Sequence, residues 1–196
     1  MTQSDPLAAA KADLRKSALA NRDALPADMR AQAAQTIAAR ALPIEVAPGT
    51  IVSGFSPLKS EINPIPLMRR FADVGAGLAL PVVAGRGKPL IMRAWTFGAP
   101  LNSGQWGIRE PTPDAPEVFP DILIVPLLAF DRRGFRIGYG AGYYDMTIAR
   151  LREMKPVIAM GIAFATQEVP EVPISPRDAR LDLVLTELGV EDFRRV

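Results

Sequence analysis

The chain has 196 residues, of which 48% are hydrophobic and 22% charged, an apolar share that suits one globular domain. It contains no cysteine and no histidine, which excludes Ser-His-Asp and Cys-His nucleophiles, disulfides and the usual zinc sites, and leaves oxygen-held hard cations as candidate metals. Lys+Arg number 23 and Asp+Glu 21, a net charge of +2 with no dense basic run, so nucleic-acid binding is not expected.

In chain order, Ser4-Asp5-Pro6 offers an N-cap and a first-turn proline, and the alanine-rich stretch behind it predicts a helix to about Arg22. Pro26 restarts a helix to about Leu42. At about 100° per residue, Leu7, Leu14, Ala18 and Leu25 share one line of the first helix, and Lys11, Arg15 and Arg22 share a second beside it. Those three cations are expected at the edge of the buried stripe, facing a neighbouring cleft. The opening residues lack a signal-peptide pattern and no apolar run reaches membrane-span length. A cytoplasmic protein with no membrane partner is therefore expected, and a monomer.

From residue 50 strands alternate with helices. Thr50–Phe55, Leu78–Val83, Leu90–Trp95, Ile122–Pro126, Val157–Phe164 and Leu183–Leu185 read as short apolar strands. Helices are predicted from Asn63-Pro64 to about Val74, ended by Gly75 and Gly77, and over about Tyr143–Glu153. This pattern predicts one α/β domain over residues 1–196, a mostly parallel sheet with helices on both faces. Gly98–Pro120 has no periodicity and is expected to be a long functional loop.

All three tyrosines fall within Asp131-Arg-Arg-Gly-Phe-Arg-Ile-Gly-Tyr-Gly-Ala-Gly-Tyr-Tyr-Asp145. Gly138, Gly140 and Gly142 lie between the Ile122–Pro126 strand and the next helix, where ligands of open α/β sheets bind. Glycines there let backbone N–H groups approach a phosphate, and the helix N-terminus adds its dipole. Arg136 offers a fork of donors to the same anion, and Asp145 stands where it can hold magnesium against phosphate oxygens. No GK[ST] follows, and Tyr143 replaces the third glycine of GxGxxG, so this is neither standard nucleotide motif.

The run PLLAFDRRGFRIGYGAGYYD, preceded by DILIV, closely resembles the signature of the 5-formyltetrahydrofolate cyclo-ligase family. Lys11, Leu14, Arg15 and the later Arg22 match that family's N-terminal pattern, and Ser60-Glu61-Ile62-Asn63 looks like its acidic substrate segment. Gly107-Ile108-Arg109-Glu110-Pro111 and Gln167 with Pro176-Arg177-Asp178 resemble two later motifs, so the resemblance covers nearly the whole chain. Asn63 stands where the family often has an acidic residue, Arg177 where it commonly has histidine, and Met146 where it has a frequent arginine.

The resemblance implies a Rossmann-like α/β fold and an ATP-dependent, magnesium-dependent conversion of 5-formyltetrahydrofolate to 5,10-methenyltetrahydrofolate, with ADP and phosphate released. Phosphoryl transfer to the formyl oxygen makes an iminium phosphate, N10 closes the ring, and phosphate leaves. Positioning and charge neutralisation suffice for this chemistry, as befits a chain without histidine or cysteine. By the same resemblance Lys11, Arg15, Arg136, Gly138, Tyr139, Gly140, Ala141, Gly142, Tyr143 and Tyr144 would hold ATP. Leu58, Glu61, Asn63, Trp106, Tyr139 and Tyr143 would meet the folate, Asp145 and Asp178 would hold Mg²⁺, and Arg136, Tyr143 and Asp145 would be catalytic. Two other classes compete: a folate-binding protein without turnover, and a sugar-phosphate isomerase on a similar fold.

Overall fold

The short apolar runs assemble into a seven-stranded sheet in the computed structural model, which describes residues 5–194. Ser4, part of the expected N-cap run, lies outside them. Helix α1 (Pro6–Asp23) starts at Asp5, whose carboxylate accepts from Leu7 N at 3.0 Å. Then come α2 (Ala27–Ala39), β1 (Ile51–Ser53), α3 (Ile65–Asp73), β2 (Gly77–Val82) and β3 (Ile91–Trp95). Next are β4 (Leu101–Ser103), β5 (Arg109–Pro111), β6 (Ile122–Val125), β7 (Ala129–Phe130) and β8 (Arg136–Ile137). The chain closes with α4 (Tyr143–Met154), β9 (Ile158–Ile162), β10 (Leu183–Leu185) and β11 (Val190–Asp192).

The sheet order is β11-β10-β9-β6-β1-β2-β3. Its five inner strands are mutually parallel, and β3 and β11 pair antiparallel at the two edges. Strand alternation divides the core. Val52, Leu78, Leu80, Ile122, Ile124, Met160 and Ile162 face α2 and α3, while Ala79, Leu123, Val125, Ala159 and Val184 face Ile148 and Leu151 of α4. Helices thus cover both faces, as the apolar strands predict. Helix α1 packs elsewhere: Leu14 and Ala18 meet Leu128, Ala129 and Ile137 at the β7–β8 hairpin.

Four expectations change. Helix α2 stops at Ala39 rather than Leu42, because Arg40 turns extended (ψ 140°) ahead of Pro43. Arg70 takes up the freed carbonyls of Ala38 and Arg40 at 2.9 and 2.5 Å. The segment Gly98–Pro120 is no structureless loop: β4 and β5 form a hairpin, and Val118 N returns to Met92 O at 2.8 Å beside β3. The two-residue pair β7–β8 and the edge strand β11 are too short to register as periodicity. Finally Arg22, expected at the rim of the α1 stripe, is 1% exposed. Among the described residues no helix is long and apolar enough to cross a membrane.

Candidate active site

The neighbouring strands β6, β1 and β2 deliver their carboxyl ends to one side of the sheet, where crevices form in open α/β folds. From β1 the chain enters the 54–61 loop. There Leu58 N donates to Glu61 Oε2 at 2.7 Å, and Ser60 is buried. From β2 it reaches Val83, whose N–H donates to Glu110 Oε1 of β5 at 3.2 Å, so the β4–β5 hairpin is tied over this end of the sheet. Ser56 Oγ donates to Arg109 O at 2.8 Å and joins the same hairpin to the β1 loop. The hairpin tip carries Trp106, 68% exposed and in the left-handed region (φ 55°), with its ring 6.2 Å from that of Tyr143.

Beyond β6 the chain forms the β7–β8 hairpin before the glycine loop. Arg136, 7% exposed, meets Asp145 Oδ1 at 3.0 Å and donates to Ala179 O at 2.8 Å. Ala179 N donates to the same Asp145 oxygen at 3.0 Å. Arg136 and Asp145 therefore clamp the 175–179 turn against α4. Lys11 Nζ reaches that turn from α1 and lies 2.5 Å from Asp178 Oδ2, which also accepts from Ser175 N and Oγ. Burial acts to raise the Asp178 carboxyl, but the bonds from Lys11 and Ser175 prevail and hold it below the ordinary range.

Arg15 Nε donates to Gly138 O at 3.0 Å, and its guanidinium lies where a Cβ on Gly140 (φ 99°) would stand, 3.1 Å away. Gly142 (φ 72°) is the left-handed N-cap of α4, and no side chain caps the helix there. A Cβ at Gly138 or Gly142 would meet no atom within 4 Å. The uncapped first amides of α4 and the glycine loop thus neighbour the cations Arg15 and Arg136, a donor set suited to an anion.

The tyrosines link this donor set to the β1 loop. Burial pushes the Tyr144 hydroxyl well up; the Glu61 charge adds to the rise and Arg136 opposes it. Burial likewise raises Glu61, against the Leu58 N–H, the Arg22 charge and a hydrogen bond from Tyr139. The structure thus joins Lys11 to Asp178, Arg15 to Gly138 and Gly140, Arg136 to Asp145, Trp106 to Tyr143 and Leu58 to Glu61. Asn63 does not join them by its side chain, which accepts from Ile65 N at 3.0 Å at the start of α3. Gln167 is architectural, donating to Leu127 O and Leu128 O and accepting from Phe164 N. Nothing in the sequence marks Asp23, which accepts from Ser60 Oγ, or the Ala179 backbone, which meets Arg136 and Asp145. Among the described residues no group of three or more acidic side chains is gathered for a metal.

Fold and cleft together define a class: a doubly covered α/β protein with a cation-lined glycine loop beyond the carboxyl ends of its central strands. The chain belongs to the 5-formyltetrahydrofolate cyclo-ligase family, a family of ligases, whose sequence profile matches residues 7–187. The 5-formyltetrahydrofolate cyclo-ligase of Mycolicibacterium smegmatis is 32% identical over 184 residues, 90% of this chain and 93% of its own. That of Escherichia coli K12 is 31% identical over 150 residues, 72% and 80% of the two chains. The solved 5,10-methenyltetrahydrofolate synthetase of Aquifex aeolicus superposes with a TM-score of 0.76 at 28% identity, covering 94% of this chain and 93% of its own. A Mycoplasma pneumoniae synthetase shares the fold, with a TM-score of 0.70 at 21% identity over 90% of this chain.

Proposed function

We propose that this chain closes 5-formyltetrahydrofolate to 5,10-methenyltetrahydrofolate at the expense of ATP. One observation carries the reading. The cations Lys11, Arg15 and Arg136 gather about the loop Gly138–Gly142, which itself carries Tyr139 and leads into Tyr143, whose ring is 6.2 Å from that of Trp106. A phosphate donor and a flat heterocycle would meet at that junction. The formyl oxygen attacks the γ-phosphorus and the bond to the ADP oxygen breaks. N10 then adds to the formyl carbon, loses its proton, and the carbon–oxygen bond to phosphate breaks.

The chain's own groups serve this sequence by placement and charge. Lys11, Arg15 and Arg136 offset the negative charge of the triphosphate, and the α4 N-terminus adds its dipole. Tyr143 and Trp106 flank the ring system, and Glu61 accepts from its N–H edge. Asp145 and Asp178 fit a magnesium ion of the kind that keeps water and takes one or two carboxylates plus phosphate oxygens. Both are hard donors beside these cations, and neither Asp145 Oδ2 nor Asp178 Oδ1 has a hydrogen bond among the described residues. When bound, that ion would neutralise charge on the transferring phosphoryl group.

The test is direct. Purified protein with 5-formyltetrahydrofolate, Mg²⁺ and ATP is expected to generate the absorbance of the methenyl product, and to give none without ATP or metal. A flat trace from folded protein that binds ATP would assign it another acceptor.

A further inference from the structure

Among the described residues Arg22 is the largest fully buried side chain, and a cation, yet the reaction above gives it no task. Its three nitrogens find three neutral partners. Nε donates to Ser60 Oγ at 3.0 Å, Nη1 to Leu127 O at 3.5 Å and Nη2 to the Tyr139 hydroxyl at 2.6 Å. None of these bonds goes to a carboxylate. The charge is balanced at one remove, through Ser60 to Asp23 on one side and by Glu61 on the other. An isolated buried guanidinium is expensive, and a joint between α1, β1 and β6 could be made from apolar groups at less cost.

Hydrogen-bond direction says what the charge achieves. A guanidinium only donates, so the Tyr139 oxygen must accept from Arg22, which leaves the phenol's proton for another acceptor. Glu61, whose Oε2 accepts from Leu58 N at 2.7 Å, acts electrostatically on the same hydroxyl. Tyr139 is a 51%-exposed ring on a glycine loop, and the Arg22 guanidinium also lies 5.8 Å from its ring centroid.

We propose that Arg22 is a positioning residue: anchored on Ser60 and donating to the Tyr139 hydroxyl, it orients the tyrosine that faces the heterocycle. The proposal rests on the folate reading above for its substrate but not for its geometry. It predicts selective damage. Arg22→Met raises KM for 5-formyltetrahydrofolate about tenfold, the scale of one lost hydrogen bond, while KM for ATP stays within about twofold, the error range of near-neutral contacts. Arg22→Lys, which keeps the charge and loses the fork, falls between.

Tyr139→Phe is expected to cost the same as Arg22→Lys, and the double variant no more than the larger single change. Additive losses, or equal losses for both substrates, overturn the proposal in favour of a purely structural arginine. If Arg22→Met does not fold, the Arg22→Lys and Tyr139→Phe cycle still decides it. A second measurement needs no substrate. In protein carrying tyrosine labelled with ¹³C at Cζ, Arg22→Lys should shift the Tyr139 resonance and leave those of Tyr143 and Tyr144 in place. If wild-type protein neither binds nor converts the folate, the functional reading fails. The Tyr139 resonance then decides alone: moved, the proposal stands; unmoved, it falls.

Discussion

Segment 131–145 begins and ends with aspartate, and the two carboxylates do opposite work. Asp131 has no exposed surface; it accepts from the amides of Arg133, Phe135 and Val172 and from the Arg133 guanidinium at 2.7–3.2 Å. Its acceptor sites are used up in closing the β7–β8 turn and holding the segment at Val172 against it. Asp145, 24% exposed by side chain, engages Arg136 and Ala179 N through a single oxygen. A carboxylate saturated by buried amides is architecture, whereas one with an unengaged oxygen beside a cation-lined loop is available to a ligand. Residue type alone does not separate the two, since both are aspartates of one continuous motif.

The sharpest way to break this comparison is to remove each carboxylate in turn. Asp131→Ala strands the buried Val172 amide and the part-buried amides of Arg133 and Phe135, at about 1–3 kcal/mol for the buried one, and should cost about 3 kcal/mol of stability. A urea midpoint close to wild type would show that the turn does not depend on it. Asp145→Ala should fold, with a midpoint near wild type, and lose metal-dependent turnover by about 100-fold or more. Undiminished kcat across a magnesium titration would remove Asp145 from the mechanism.

Glu61 sharpens the contrast through pH. Burial, opposed by the Leu58 amide, Arg22 and Tyr139, raises its carboxyl above the ordinary 4.5. The neutral carboxyl therefore stabilises the fold fully below that ordinary value, and the contribution is lost as pH climbs through the raised folded value. Glu61→Gln keeps an acceptor for Leu58 N without the charge. Melting curves should show wild type losing ground to Glu61→Gln between about pH 4.5 and neutrality. Parallel curves would show that burial at this carboxyl has no energetic weight.

The smallest expected change is at the open end of the segment. A Cβ at Gly138 meets nothing within 4 Å, and the residue's backbone needs no positive φ. Gly138→Ala should leave stability within about 0.5 kcal/mol while raising KM for ATP, because the methyl group occupies space a phosphate would use. A KM unchanged by that methyl would place the triphosphate elsewhere along the loop.

The sequence by itself determined the architecture, because burial leaves a periodic signature. Strands covered on both faces must be short and nearly all apolar, as at Ile122–Val125, and helices between them must bury one stripe. It also singled out the glycine–tyrosine segment as a candidate site, since alternating glycines beside clustered tyrosines are costly to keep in an ordinary turn. Only the tertiary structure decided how individual polar groups are spent. Arg22 lies on the same α1 line as Lys11 and Arg15, yet one faces Ser60 and Tyr139 in the interior while the others reach the glycine loop and Asp178. The β4–β5 hairpin, the Arg136–Asp145–Ala179 clamp and the saturation of Asp131 are likewise contacts between residues far apart in the chain. Periodicity reports which face of an element is buried. Which partner a donor or acceptor finds across the fold depends on where the other elements pack, and local sequence does not encode that.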